Sequence, residues 1–68
     1  MKISARNQMA GTIVDSQKGA TTAHVRIDVG GTLITAAITN EAVDQLKLIA
    51  GQKAYAVIKA SDVMVGVD

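Results

Sequence analysis

The chain has 68 residues, a formal net charge of +1, no cysteine, no tryptophan or phenylalanine, and a single aromatic residue, Tyr55. These numbers exclude a disulfide staple, a thiolate metal site and a core built on aromatic rings, which leaves oligomerisation as the usual support for so small a domain. They also argue against a surface made to coat nucleic acid or an anionic membrane. No apolar run approaches the roughly 20 residues of a membrane span, and no apolar signal segment opens the chain, so the expected location is cytoplasmic. Apolar residues nevertheless make up 49% of the chain, a high share that points to apolar surface buried between copies.

In chain order, residues 1–8 alternate. Lys2, Ser4, Arg6 and Gln8 fall on one side of an extended strand, with Ile3 and Ala5 on the other. A second strand is expected from Gly11 through Val14, and Ser16-Gln17-Lys18-Gly19 reads as a turn. Residues 22–29 carry the clearest strand pattern, with Ala23, Val25, Ile27 and Val29 on one face and Thr22, His24, Arg26 and Asp28 on the other. Gly30-Gly31 is a two-residue hairpin signal. Residues 33–38 return as a strand apolar on both faces, which suits a central position or a subunit contact.

The period then changes. Ala42, Val43 and Leu46 have helical spacing, with Thr39 or Asn40 as cap, Glu41 in the first turn and Lys47 at the end. Residues 54–59 and 63–67 read as two further strands. The whole predicts one all-β domain over residues 1–68, a small five-stranded oligonucleotide-binding-type barrel with one short helix. Pairing of the first strand with another subunit would hide an exposed edge.

Enzyme chemistry finds little footing. No cysteine nucleophile exists, the only histidine, His24, lies on a polar strand face, and the carboxylates are scattered without an acid/base pair or metal loop. Three features suit an anion instead. Ser4 and Arg6 offer a hydroxyl and a guanidinium. Thr39-Asn40 opens a helix, where N–H groups are free. Lys59-Ala60-Ser61 offers a charge, a hydroxyl and a backbone N–H. Each feature alone also has an ordinary structural explanation: an edge strand, a helix cap, a surface lysine beside a turn serine.

Their joint order carries more. Met1-Lys2-Ile3-Ser4-Ala5-Arg6-Asn7-Gln8, Gly11-Thr12, Ala37-Ile38-Thr39-Asn40 and Val57-Ile58-Lys59-Ala60-Ser61 together resemble the molbindins, the small molybdate-binding Mop proteins, over essentially the whole chain. Related domains occur in molybdate-responsive regulators and in transporter ATPase subunits. This chain has neither a DNA-binding region nor an ATPase domain, so it looks like the free-standing form. The resemblance implies a homohexamer, a trimer of dimers, with oxyanions held between subunits. It implies Ser4, Arg6 and Asn7, with the Ala5 backbone, as ligands from one subunit, and Lys59, Ala60 and Ser61 from a neighbour, with Thr39 as a further ligand. It implies molybdenum storage or homeostasis as the role.

The chemistry is consistent with that implication. Molybdate is a tetrahedral dianion whose oxygens only accept hydrogen bonds, so a site made of donors rejects protonated ligands. Selectivity over sulfate must rest on cavity size, and tungstate should bind much as molybdate does. The competing class is a single-stranded nucleic-acid-binding barrel, which stacks bases on aromatic side chains along a basic groove. One tyrosine and a charge of +1 weigh against it.

Overall fold

The computed structural model describes residues 1–68. Its elements are β1 (Asn7–Lys18), β2 (Thr22–Val29), β3 (Thr32–Thr39), α1 (Asn40–Leu46) and β4 (Lys53–Ile58), followed by a 3-10 turn over Ala60–Asp62. The strands form one antiparallel sheet in the order β3-β2-β1-β4.

β1 joins the two halves of that sheet. Its first half pairs with β4, from Asn7 opposite Ile58 to Thr12 opposite Lys53. Its second half pairs with β2, from Thr12 opposite Asp28 to Lys18 opposite Ala23. The register slips between Ile13 and Asp15, a bulge at Val14 that bends the strand. The two short strands expected within residues 1–8 and 11–14 are therefore replaced by one long strand beginning at Asn7.

Gly11, which reads in the sequence as a strand boundary, serves close approach instead. A Cβ built there would lie 2.5 Å from the Asp28 carbonyl oxygen and 2.8 Å from Ile27 Cγ2. Gly11→Ala should destabilise the fold by about 1–3 kcal/mol, the usual cost of overpacking. A lowered urea midpoint at unchanged slope would show it.

Residues 1–6 form no strand, and local hydrogen bonds explain why. Arg6 Nε donates to the Ser4 carbonyl at 3.0 Å and its Nη2 to the Ile3 carbonyl at 3.2 Å, while Gln8 Nε2 donates to the Ala5 carbonyl at 2.8 Å. Side chains that bind neighbouring carbonyls bend a segment away from a ladder.

The β2 pattern holds as expected: Ala23, Val25 and Ile27 are buried and His24 is exposed. Gly30 and Gly31 make the β2–β3 turn at φ 60° and 94°, the positive values a two-residue hairpin turn demands. β3 is an edge strand, not a central one. The helix ends one residue early: Lys47 is its cap, in the left-handed region at φ 52°.

The expected fifth strand and barrel closure are absent. Residues 63–67 pair with nothing in the chain, and β3 and β4 remain as the two free edges of an open, four-stranded sheet. Alternating apolar residues make a strand only where an edge accepts their backbone.

The core is correspondingly thin: Ile13, Ala23, Val25, Ile27, Val43 and Ala56, on the inner face and under α1. The accessible surface is 5283 Å², against about 4,000 Å² for a compact monomer of this mass.

Candidate functional site

The β1–β4 register sets the geometry of the candidate site. Asn7 lies opposite Ile58, so Ser4-Ala5-Arg6-Asn7 leads into one strand beside the point where Lys59-Ala60-Ser61 leaves the other. Asn7 Nδ2 donates to the Ile58 carbonyl at 3.2 Å across that junction. Two stretches more than fifty positions apart in sequence thus meet within one chain.

The donor set there is rich. Two guanidinium N–H groups of Arg6 are engaged by the Ser4 and Ile3 carbonyls, which holds the group over the N-terminal bend and leaves three of its five N–H groups for another acceptor. Lys59 precedes the 3-10 turn, and no side chain caps that turn. Its first N–H groups have no partner inside the turn. Ser4, Arg6, Lys59, Ala60 and Ser61 are exposed, and Ala5 and Asn7 half-buried. Lys2, Arg6 and Lys59 contribute positive charge at this end of the sheet, with Asp62 in the turn as the nearest opposing carboxylate in sequence.

Thr39 lies elsewhere. It pairs with Thr22 at the Lys18 end of the sheet, the opposite end of β1 from Asn7. Its Oγ1 accepts from the Ala42 N–H at 3.0 Å as the cap of α1, and the hydroxyl proton stays free to donate. Asn40 ties the same region together: its N–H donates to the Thr21 carbonyl at 2.9 Å and its Nδ2 to the Gly19 carbonyl at 3.0 Å. Within one chain, therefore, the first and last stretches converge and Thr39 does not join them.

Two features carry no signal in the sequence. One is Gln8, whose bond to Ala5 shapes the bend that presents Ser4 and Arg6; a glutamine in a strand pattern carries no signal of that. The other is a polar cluster of Asp15, Gln17, His24, Arg26 and Thr35 on the outer face. Arg26 chelates Asp15 through Nε at 2.9 Å and through Nη2, a pairing created by the bulge. The hydrogen bonds from Arg26 hold the Asp15 carboxyl below the usual carboxylate range and raise the guanidinium pKa. A depressed folded-state pKa stabilises above the ordinary carboxylate pKa, and that stabilisation is lost as pH falls through the folded value. Asp15→Asn should therefore flatten part of the acid-range dependence of the melting temperature while changing it little at neutral pH, because the pair is exposed.

The site is a surface array of hydrogen-bond donors on a small β scaffold, and its relatives share that scaffold. Residues 3–65 match the TOBE domain family. A probable molybdenum-pterin-binding protein of Haemophilus influenzae is 48% identical, with all of both chains aligned. A molybdate-binding protein from Sporomusa ovata superposes with a TM-score of 0.93 at 39% identity, covering 98% of this chain and 100% of that one. The cytoplasmic molybdate-binding protein ModG, in a molybdate-bound crystal form, superposes at 0.94 with 46% identity; this chain is covered completely and spans 49% of ModG. The chain belongs to the TOBE domain family and, within it, to the molybdenum-pterin-binding Mop proteins.

Proposed function

We propose that this protein binds molybdate, and tungstate as its analogue, through Ser4, the Ala5 backbone, Arg6, Asn7, Lys59, Ala60 and Ser61, for molybdenum storage and homeostasis in the cytoplasm. The observation that carries the reading is the convergence of the two polar stretches at the Asn7–Ile58 junction in a chain whose full-length relative is described as molybdenum-pterin-binding and whose structural neighbour holds molybdate. The protein acts as a binding protein and not as an enzyme. Its partners are copies of itself.

The exposure of the array supports a shared site. A dianion held on one chain alone would keep much of its hydration, whereas a second surface laid over the array would supply further donors and exclude water. Thr39 is the natural contribution from that second surface. Its free hydroxyl proton points to a ligand role, and its position at the far end of β1 requires another copy. We read the assembly as a homohexamer built as a trimer of dimers.

Calorimetric titration of molybdate into the purified protein tests the reading, with sulfate as competitor. Saturable binding of molybdate, little displaced by sulfate, is expected; equal affinity for the two anions would reduce the site to a general anion patch. Because the anion would bind only the folded state, molybdate at 100 times its dissociation constant should stabilise the fold by about 2.7 kcal/mol, visible as a higher melting temperature. Thr39→Ala should cost about 1 kcal/mol of stability through the lost cap. Thr39→Asp keeps a capping acceptor but adds a negative charge, so it should spare stability while weakening molybdate binding. Unchanged affinity in Thr39→Asp would remove Thr39 from the ligand set.

A further inference from the structure

We propose that Gln8 is a positioning residue of the anion site: it holds open the mouth where β1 and β4 part, so that the donors on both sides stay free for a ligand. The β1–β4 ladder runs up to Asn7 opposite Ile58. Carried further, the same register would set Arg6 opposite Lys59 and Ala5 opposite Ala60. Those are residues whose donors the site needs. A continued ladder would consume backbone N–H groups in strand pairing. It would also set two cations directly opposite each other, an unfavourable cross-strand pair. The chain avoids that closure on both sides. β4 gives way to the 3-10 turn over Ala60–Asp62, and β1 is preceded by bends at Ser4 and Arg6.

Three side-chain hydrogen bonds shape the N-terminal side of the mouth, and only one of them reaches the sheet. Arg6 lies outside β1, so its bonds to the Ser4 and Ile3 carbonyls join the bend to itself. Gln8 lies inside β1 with Val57 opposite, and its Nε2 donates to the Ala5 carbonyl at 2.8 Å, the shortest of the three. The acceptor is a carbonyl, so only the NH2 end of the side chain suits it. No backbone-to-backbone hydrogen bond outside the regular elements involves residues 1–6. Asn7, the neighbouring anchor, directs its amide across to Ile58 and not back along the bend. Gln8 is therefore the side chain through which the strand sets where Ser4, Ala5 and Arg6 lie. It is itself exposed, so losing its bond should free the bend and leave the rest of the fold intact. An anion would then have to order that segment as it binds, and such ordering lowers affinity. The effect on affinity rests on the molybdate reading; the ordering of the bend does not.

Two measurements on the intact protein test it, one of them without any anion. Backbone amide order parameters of residues 4–6 in the ligand-free protein should match those of rigid strand, about 0.85, and fall below about 0.6 in Gln8→Met, which keeps the side-chain length and removes the donor. Gln8→Glu, ionised and acceptor-only, should loosen the bend in the same way. Calorimetric titration of sodium molybdate into Gln8→Met should give a dissociation constant raised about tenfold, the cost of ordering roughly one further residue on binding. The melting temperature of the ligand-free variant should shift by less than about 4 °C, as for an ordinary surface substitution. Residues 4–6 already mobile in the unsubstituted protein, or equally ordered in both variants, would overturn the proposal. So would an unchanged dissociation constant for Gln8→Met where the unsubstituted protein binds molybdate. A raised constant accompanied by a larger fall in melting temperature would reduce Gln8 to a structural residue. Failure of the unsubstituted protein to bind molybdate would overturn the anion site itself, whereas the order parameters decide the bend on their own.

Discussion

Lys59→Ala should weaken molybdate binding by about 2–5 kcal/mol, the range for removing one partner of a desolvated charge pair. The dianion must shed water to enter a site, and an unpaired buried dianion is prohibitively costly. Arg6 and Lys59 are the cations adjoining the Asn7–Ile58 junction, and Arg6 has already committed two of its donors to backbone carbonyls. Lys59 carries no such commitment, so its charge is the one most available to the ligand. Lys53→Ala is the control: Lys53 is exposed on β4 opposite Thr12, away from both ends of β1. Lys18 serves less well, because it is paired with Asp44 and lies at the Thr39 end of the sheet. Calorimetric titration of both variants decides the matter. Equal affinities for Lys59→Ala and Lys53→Ala would mean that Lys59 is a surface charge and that the site lies elsewhere.

Ile13→Ala should have the largest effect on stability, about 2–5 kcal/mol by loss of transfer free energy and creation of a cavity. Ile13 and Val25 are the largest fully buried side chains in a core of six residues. So small a core has no redundancy, and total stabilities of small domains are only about 5–15 kcal/mol. Ile13 also anchors the backbone: its carbonyl accepts from the Gly51 N–H at 2.8 Å and its N–H donates to the Gln52 carbonyl at 2.9 Å. These bonds survive the substitution, so the measured cost is that of the side chain. Val14→Ala, one residue along at the bulge and 40% exposed, should cost about 0.5 kcal/mol or less. Denaturant unfolding that ranks the two variants equally would show that the interior is organised around something other than Ile13.

Much of this is legible in the sequence because it depends on neighbours in the chain. The strict alternation over residues 22–29 becomes β2 with Ala23, Val25 and Ile27 inside, since a half-buried strand needs only a period of two. Gly30-Gly31 becomes a turn with both φ values positive, since only glycine reaches that region without steric cost. Thr39 caps α1 because a hydroxyl three positions before an orphan N–H satisfies it. The family resemblance lies in short polar motifs whose order in the chain carries the information, and the chain belongs to that family.

What the sequence by itself determined, then, is the β character, the hairpin, the capped helix and the family. Only the tertiary structure decided the rest. Whether residues 1–6 continue a strand depended on where Arg6 and Gln8 find acceptors, and they find them in their own backbone. Whether Gly11 ends a strand or lets β2 approach depended on a carbonyl seventeen residues away. The meeting of Asn7 with Ile58 and the absence of a partner for residues 63–67 are both matters of strand pairing. Periodicity states which face of a strand is apolar, but pairing is a contest among all the edges the chain can offer, and its outcome depends on contacts distant in sequence.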